Sequence, residues 1–466
     1  MIHKIREDDI KYDLVIMPDA SSNDFEYHEQ LKGMGIPVLV LDHHILETEV
    51  SDNAVIINNQ SSNDYRNKEL TGAGVVWQFC RYIDRIRKCD DALYFTDLAA
   101  LGIIGDMGGL NEIENQAIIS YGLKHINNFF FSTLVEKQDY SMGGKVNPTT
   151  VAFYIVPMIN AMIRVGSMQE KNRLFEAFLD GTRMVPSNKR GAKGTMELLA
   201  VESARECTNA KSRQDKRKEE IVGTLEARIH KLGLLDNKIL FIRLGEDDEF
   251  PSVLNGLVAM QLAAKFQRPT IVARLNKEGF VRGSARGLNE SELRSFKDFL
   301  NSTGMFEYTA GHDNAFGISI PNASLEKFHE FANRELNGFD FSETSYDVNF
   351  MRHAADKDLT DLIFDIGEYE HIWGQKMSEP MLYIDDINLT SSDIQVCGAR
   401  KDTVRFEKFG VTYIQFHAKK LIEDLQKYPE VKVNLVGRAG INEWMGNRKP
   451  QIIIKDYEVF DNAYGF

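Results

Sequence analysis

Carboxylates and imidazoles follow two apolar runs near the start of the sequence. Asp19 comes directly after the first run, and Asp42, His43 and His44 end the second. Nearly all-apolar runs that are separated by a helical stretch, here Asp24 to Gly33, predict parallel strands that are buried on both faces. The carboxyl ends of such strands meet at one edge of the sheet, where ligand sites lie. We therefore expect these four side chains to share one site.

A further carboxylate, Asp106, is flanked by glycines on both sides. Glycines leave the backbone free to bring a carboxylate close to a ligand, and we expect Asp106 at a third strand end. Carboxylate oxygens and imidazole nitrogens suit Mn²⁺ or a similar divalent ion, and two ions about 3.5 to 4 Å apart can activate water and hold a phosphate in line. Alternatively, Asp42 and Asp106 are helix caps and the two histidines are structural.

Three further groups of residues could bind phosphate. Ser284 and Arg286, within Arg-Gly-Ser-Ala-Arg, combine a flexible backbone with a hydroxyl and a forked guanidinium. Gly311 and His312 form a second glycine-containing turn. Asn160 and Arg164 are four residues apart on a predicted helix and so share a face. Each group also has a structural interpretation: a common turn, a structural histidine and a polar pair that stabilises a helix.

Composition limits the class of protein. With 466 residues, 43% of them hydrophobic and 10% aromatic, the chain can build several packed domains and is not mainly disordered. Four widely spaced cysteines favour buried free thiols over a disulfide framework. A net charge of -14 opposes a whole-surface polyanion binder and leaves room for a local basic cleft. No apolar run approaches the roughly 18 residues that span a bilayer, so we expect a cytoplasmic protein with no membrane partner.

The hydrophobic pattern changes character along the chain. Helical periodicity dominates from Gly72 to about residue 232, where the charged segment Lys211 to Glu220 is interpreted as a solvated helix face. A second α/β unit begins near Lys238. From Met381 onward, short alternating segments predict a small antiparallel barrel.

Taken in order, these motifs resemble the DHH phosphoesterase superfamily, specifically the RecJ-like single-stranded-DNA exonucleases with a DHHA1 domain. Asp19 resembles the second motif, Asp42-His43-His44 the third and Gly105-Asp106 the fourth. Asn58 and the stretch 72–75 fit the region after the third motif. The segment 157–164 is similar to the family's Pro-Arg-Ile-Asn-Ala, with Met158 in place of Arg. The stretches 283–286 and 311–312 resemble the two DHHA1 signatures, with Ala310 in place of the first glycine of Gly-Gly-His, and 442–446 with 451–456 is similar to the family's OB-fold.

The resemblance implies an α/β fold. It comprises a parallel-sheet DHH domain truncated at its amino end (1–135), a helical connector (136–232), a smaller α/β DHHA1 domain (233–340) and a carboxy-terminal OB-like β-barrel (345–466). It implies a metal-dependent 5′-to-3′ exonuclease in DNA repair or recombination, with Mn²⁺ or Mg²⁺ as cofactor. The expected partners are single-stranded DNA, divalent metal ions and a single-strand-binding protein. The implied metal ligands are Asp19, His43, His44 and Asp106, with Asp42 as a further catalytic residue; the implied substrate residues are Asn160, Arg164, Ser284, Arg286, Gly311, His312 and Trp444.

One departure from the family concerns its first motif, an Asp-rich strand end upstream of Asp19, which the sequence does not contain. We expect the sequence to be a fragment and the two-metal site of this chain to be incomplete; the alternatives are a separate chain that supplies the carboxylates and a degenerate member of the family. Two other functions stay open. One is a DHH-type phosphodiesterase of small nucleotides, which an extended carboxy-terminal barrel opposes. The other is a catalytically silent DNA-binding scaffold, which the intact carboxylates oppose.

Overall fold

The computed structural model describes residue 5 and residues 10–46, 51–192, 194–245, 248–398, 401–444 and 446–461. The chain divides into two compact units. The first comprises Met1–Asn160, Gln169–Glu206 and Val348–Phe466, and the second comprises Ala161–Met168 and Cys207–Asp347. The domain boundaries given above stay a prediction.

The first unit begins with the predicted parallel sheet. Strands β1 (Val15–Pro18), β2 (Val38–Asp42) and β3 (Val55–Asn58) pair in that order and run parallel. Helix α1 (Phe25–Gly33) connects β1 to β2, as the pattern predicted. Buried Leu31 of this helix packs with Met17, Val38 and Val40 of the strands. This apolar packing between helix and strands holds in place the strands whose ends carry Asp19 and Asp42.

Helices follow the sheet and carry the remaining site residues of this unit. The longer helices up to residue 180 are α2 (Gly72–Arg87), α3 (Thr96–Gly105), α4 (Ile113–Lys124), α5 (Phe129–Met142), α6 (Val156–Val165) and α7 (Met168–Asp180). A π-helical turn, Val151–Ile155, precedes α6. The stretch Pro148–Val165 is 18 residues long and apolar enough to cross a membrane by length and composition, which corrects the expectation that no run approaches this length. A core helix of a soluble protein passes the same test, and a third of this stretch is buried.

The region from 181 to 231 is not purely helical, contrary to the prediction. Strands β4 (Met184–Pro186) and β5 (Met196–Leu198) form a separate two-stranded antiparallel sheet. The long helix α8 (Leu199–Lys231) follows directly. Strands of three residues are too short to show alternation in a sequence, which explains why the hairpin was missed.

The second unit contains a five-stranded sheet with helices packed on it. Its strands are β6 (Leu240–Leu244), β7 (Thr270–Leu275), β8 (Phe280–Arg286), β9 (Tyr308–His312) and β10 (Ala315–Pro321), in the spatial order β6-β7-β8-β10-β9. Only β6 and β7 pair in parallel, and the other neighbours are antiparallel. Its helices are α9 (Asn255–Phe266), α10 (Phe296–Ser302) and α11 (Leu325–Glu335). This is the predicted second α/β unit.

The carboxy-terminal part of the first unit is a seven-stranded sheet around its own core. The strands are β11 (Phe350–His353), β12 (Met381–Thr390), β13 (Gln395–Cys397), β14 (Thr403–Lys408), β15 (Val411–Gln415), β16 (Glu430–Trp444) and β17 (Asn447–Asp461). Helices α12 (Leu359–Glu368) and α13 (Lys419–Leu425) pack on it. The sequence predicted a wholly antiparallel barrel. The sheet is mixed instead, because β11 pairs with β12 and β15 pairs with β17 in parallel.

The cysteines are free, as expected, but not all are buried. Cys207 is buried and Cys89 is half-buried, whereas Cys80 and Cys397 are exposed. Cys397 lies on the short strand β13, and all three residues of that strand are exposed.

Candidate active site

Asp19 lies in the turn that follows β1. Its backbone N–H donates to the carbonyl of Leu41 at 2.8 Å, which places it beside the end of β2. The residue has a φ of 57°, a left-handed conformation that is uncommon for a residue other than glycine. Gly72, the first residue of α2, makes room for the carboxylate, because a Cβ at that position would lie 2.1 Å from Asp19 Oδ1.

His43 lies between two carboxylates. Its Nε2 is 3.3 Å from Asp19 Oδ1 and 3.1 Å from Asp106 Oδ2. Burial disfavours the charged imidazolium, but the hydrogen bonds to Asp106 and Asp19 outweigh burial and raise the pKa of His43 to about 9. The site thus concentrates negative charge around a single ring nitrogen.

Asp42 holds the surrounding backbone. The carboxylate is fully buried and accepts hydrogen bonds from the N–H of Ser22 at 3.0 Å and of His43 at 2.8 Å. It also faces His44 Nδ1 at 2.7 Å. Burial acts to raise the pKa of Asp42, but the hydrogen bonds from His44, Ser22 and His43 outweigh it and lower the pKa to about 2. This carboxylate therefore stays ionised and ties the loop after β1 to the loop after β2.

Asp106 lies at the end of a helix and not at a strand end, so the expectation of three strand ends was wrong. It is the residue after α3, and its N–H donates to the carbonyl of Gly102 at 3.0 Å. Met107, which follows, has a φ of 60° and turns the chain away from the helix. The run of small apolar residues that ends in Gly105 was mistaken for a strand, because periodicity cannot separate a short buried helix from a buried strand.

The donor set fits a divalent cation. Ligand atoms of Asp19, Asp42, His43 and His44 all lie within 4.8 Å of one another, and Asp106 Oδ2 lies 3.1 Å from His43 Nε2. Carboxylate oxygens with imidazole nitrogens are ligands for Mn²⁺ and related ions. The gap that Gly72 leaves for Asp19 keeps one of these carboxylates at the site.

The predicted phosphate-binding residues of the second unit lie on neighbouring strands. Arg286 of β8 and His312 of β9 are both register partners of Ala315 in β10, so they lie on either side of that residue. Ser284 lies on β8 opposite Gly317, and Gly311 is exposed with a φ of 133°. Burial and the nearby charge of Arg164 both lower the pKa of Arg286. Arg164 and Arg286 therefore both add positive charge to the same region of the second unit.

The other predicted substrate residues are Asn160 and Trp444. Asn160 is half-buried on α6. The side chain of Trp444 lies outside the described residues. Of the cations near it in sequence, Arg448 pairs with Glu368, Lys449 lies 3.7 Å from Glu407, and Arg438 lies 3.9 Å from Glu379. Each of these three cations therefore lies near a carboxylate.

Two residues that position the site, Ser22 and Gly72, were not recognised in this role from the residue pattern. Ser22 donates its N–H to Asp42, and its Oγ accepts from the amide of Asn58 at 2.8 Å. The polar run Ser-Ser-Asn-Asp before α1 was the available signal, since such runs are typical of turns and helix caps. Gly72 was assigned only by resemblance, although the Gly-Ala-Gly at a helix start indicates close packing.

Comparisons with known proteins show the family of this chain. Residues 355–456 match the family model described as the RecJ OB domain. YorK, a prophage-derived protein of Bacillus subtilis provisionally named a single-strand DNA-specific exonuclease, is 34% identical over 455 residues, which cover 96% of this chain and 78% of that protein. The chain belongs to the RecJ-like exonuclease family. The resemblance predicted from the motifs is thereby confirmed.

More distant RecJ proteins extend the match. The RecJ of Bacillus subtilis, named a single-stranded-DNA-specific exonuclease, is 26% identical over 460 residues, covering 96% of this chain and 54% of that protein. The crystal structure of Thermus thermophilus RecJ in complex with Mn²⁺ superposes with a TM-score of 0.69 at 19% identity, covering 96% of this chain and 62% of that one. A second structure of that RecJ is a complex with Mg²⁺. The predicted fold class is confirmed, and this RecJ-like chain spans between about half and four fifths of the length of these relatives.

Proposed function

We propose that this chain is a metal-dependent exonuclease that removes nucleotides from single-stranded DNA in the 5′-to-3′ direction. The observation that carries the proposal is the convergence of Asp19 and Asp106 on one nitrogen of His43, in a chain of the RecJ-like family. The names of the relatives support the substrate class, and the RecJ structures with Mn²⁺ and Mg²⁺ support the cofactor.

Asp19, His43 and Asp106 would hold the ion, with His44 beside them. A bound divalent ion activates water and neutralises phosphate charge. Asp42 keeps both loops in register through its hydrogen bonds to Ser22 and His43. Arg286, Ser284 and His312 would bind substrate phosphates through charge and hydrogen bonds. A single-strand-binding protein as partner and a cytoplasmic location belong to the same proposal.

The test is an exonuclease assay with Mn²⁺ on single strands labelled at the 5′ or the 3′ end. We expect early release of labelled mononucleotide from the 5′ label only, and resistance of blunt duplex DNA. Asp106→Asn keeps the size of the side chain, so we expect it to lose Mn²⁺ binding by calorimetry and at least 100-fold in rate. Asp90→Asn, an exposed carboxamide variant on the same unit, is the control and should match the parent.

The assay also separates the alternatives. Hydrolysis of dinucleotides without attack on long strands would identify a small-nucleotide phosphodiesterase. Binding of single strands without hydrolysis would identify a scaffold. Equal rates for the parent and Asp106→Asn would remove the carboxylate cluster from the reaction.

A further inference from the structure

The hairpin β4–β5 is a basic element in an acidic chain. Between Asp180 and Glu197 the sequence contains four cations and no acidic residue, whereas the whole chain has a net charge of -14. The cations are Arg183, Lys189, Arg190 and Lys193, the last of which lies outside the described residues. Neither the metal site nor the predicted phosphate-binding strands use this element.

Side chains of helix α8 hold the base of the hairpin loop 187–195. Arg205 forms two hydrogen bonds with Glu197, at 2.6 and 2.8 Å, and a third with Asn188 Oδ1 at 2.9 Å. The Asn188 amide in turn donates to Glu206 at 2.7 Å. The bonds from Arg205 lower the pKa of Glu197 to about 2, so this pair is charged over the whole physiological range. The loop is therefore anchored at both of its ends.

The tip of the loop is open to a ligand. Lys189 and Arg190 are exposed, and no carboxylate in the described part of the chain lies within ion-pairing distance of either. Gly191 and Gly194 have φ values of 86° and 92°, and no atom lies within 4 Å of the position that a Cβ would take. Glycines with open surroundings let a ligand approach the backbone closely.

Exposed cations beside accessible backbone, in a loop whose sequence contains no aromatic residue to read a base, match the chemistry of phosphodiester recognition. We propose that Lys189 and Arg190, with the backbone around Gly191, bind the phosphate backbone of the single-stranded substrate, without preference for its sequence. The inference rests on the proposed function, since it names a further contact for that substrate. The alternative ligand of this loop is an acidic protein surface, and the test below distinguishes the two ligands.

The test compares two double variants that change the net charge equally. Lys189→Gln with Arg190→Gln removes the loop cations. Arg87→Gln with Lys88→Gln is the matched control, because these residues are also adjacent and exposed, and the described carboxylates leave them without an ion pair. Affinity for a long single-stranded oligothymidine is measured by fluorescence anisotropy over a range of salt concentrations in EDTA, which prevents hydrolysis.

Each phosphate contact on a single strand contributes about 0.7 to the slope of log affinity against log salt. We expect the loop variant to have a slope shallower by about 1.4 and therefore, if the two affinities are equal at 1 M salt, an affinity about 25-fold lower at 0.1 M salt. The control should retain the parent slope, and both variants should retain the parent melting temperature.

The opposite outcomes overturn the inference in distinguishable ways. Equal losses in both double variants would assign the effect to net charge alone. A loop variant with the parent slope would remove the loop from the DNA-binding surface, and would point to a protein partner if an acidic polypeptide then discriminated between the two. A parent that binds no single strand would count against the proposed function itself.

Discussion

At the scale of single residues, the side chains of the site have two roles. Some offer negative charge to a ligand, and one fixes the geometry of the backbone around them. Asp19 and Asp106 have more than half of their side-chain surface exposed, so their oxygens remain open to a ligand. Asp42 is buried and its oxygens are occupied by backbone N–H groups and His44. The sequence predicted all of these as catalytic, because a motif gives residue types and not their hydrogen-bond partners.

Gly72 gives a prediction at this scale. A methyl group at position 72 would overlap the Asp19 carboxylate, since even Asp19 Cβ would lie 2.7 Å away. We expect Gly72→Ala to weaken Mn²⁺ binding about 10-fold or more while the chain stays folded, because the clash is with a surface carboxylate. Calorimetric titration and a thermal melt measure the two effects.

Gly223→Ala is the control for this substitution, because a Cβ there meets no atom within 4 Å. It should leave Mn²⁺ binding unchanged. Unchanged Mn²⁺ affinity in Gly72→Ala would show that the position of the Asp19 carboxylate does not matter for the ion.

Arg286 gives a second prediction, for substrate binding. Arg286→Ala should weaken the binding of 5′-phosphorylated single strands by about 1.5 to 3 kcal/mol, the size of a charge-assisted hydrogen bond, with Mn²⁺ affinity unchanged. Anisotropy titration against Arg334→Ala, an exposed arginine on α11, tests the expectation. A similar decrease in both variants would mean that any arginine of this unit contributes equally, and the assigned role would be wrong.

At the scale of elements, the position of Asp106 depends on helix α3, and Asp97 in the first turn of α3 ties that helix to the chain before α5. Its buried carboxylate accepts from the N–H groups of Asn127 at 2.8 Å and Asn128 at 2.7 Å. Asn128 is also the N-cap of α5, where its side chain accepts from the N–H of Phe131. One carboxylate therefore connects two helices.

Asp97→Ala should accordingly destabilise the protein by about 1 to 3 kcal/mol, because the N–H groups of Asn127 and Asn128 lose their hydrogen bonds to a buried carboxylate. Urea unfolding measures the change. Asp90→Ala is the matched control, since the Asp90 side chain is 76% exposed and its ion pair with Arg81 is a surface one, so stability should change little. A loss of less than about 1 kcal/mol in Asp97→Ala would mean that water replaces the carboxylate.

The elements that the sequence predicted well are those with strong local signals. The strands β1 and β2 and helix α1 follow from continuous apolar runs and a helical interval, and the structure places them within two residues of the prediction. Hairpin β4–β5 was not predicted, since its two strands of three residues are too short to show alternation and the side chains that hold its loop come from α8. Strand β11 was missed for a related reason, because it pairs in parallel with β12, which lies far along the chain.

At the scale of the whole molecule, the order of motifs predicted the family and the fold class. The net charge of the chain, however, gave no indication that loop 187–195 is basic. A net charge of -14 averages over the hairpin, and nothing in the sequence indicates that Arg448 and Arg438 lie near Glu368 and Glu379. Ion pairing between distant segments is decided by tertiary contact. Such ion pairs produce no periodic pattern in the sequence, whereas strands and helices do.

One such contact couples the stability of the molecule to pH. Glu379 has 23% of its side chain exposed and lies 3.9 Å from Arg438 Nε. Burial raises the pKa of Glu379 to about 7, although the charge of Arg438 acts in the opposite direction. In the unfolded chain this carboxyl has an ordinary pKa of 4.5. The folded state therefore keeps a proton that the unfolded state releases between pH 4.5 and 7.

A pKa that is raised on folding destabilises the folded state as the pH rises through this interval, with no further loss above it. The difference between the two pKa values corresponds to about 3 kcal/mol. Glu379→Gln cannot titrate, so the free energy of unfolding of the variant should exceed that of the parent increasingly from pH 5 to pH 7 and by a constant amount above pH 8. Urea unfolding at a series of pH values in EDTA measures this difference directly. A difference that does not change with pH would show that Glu379 is already ionised in the folded protein and that its attraction to Arg438 outweighs burial.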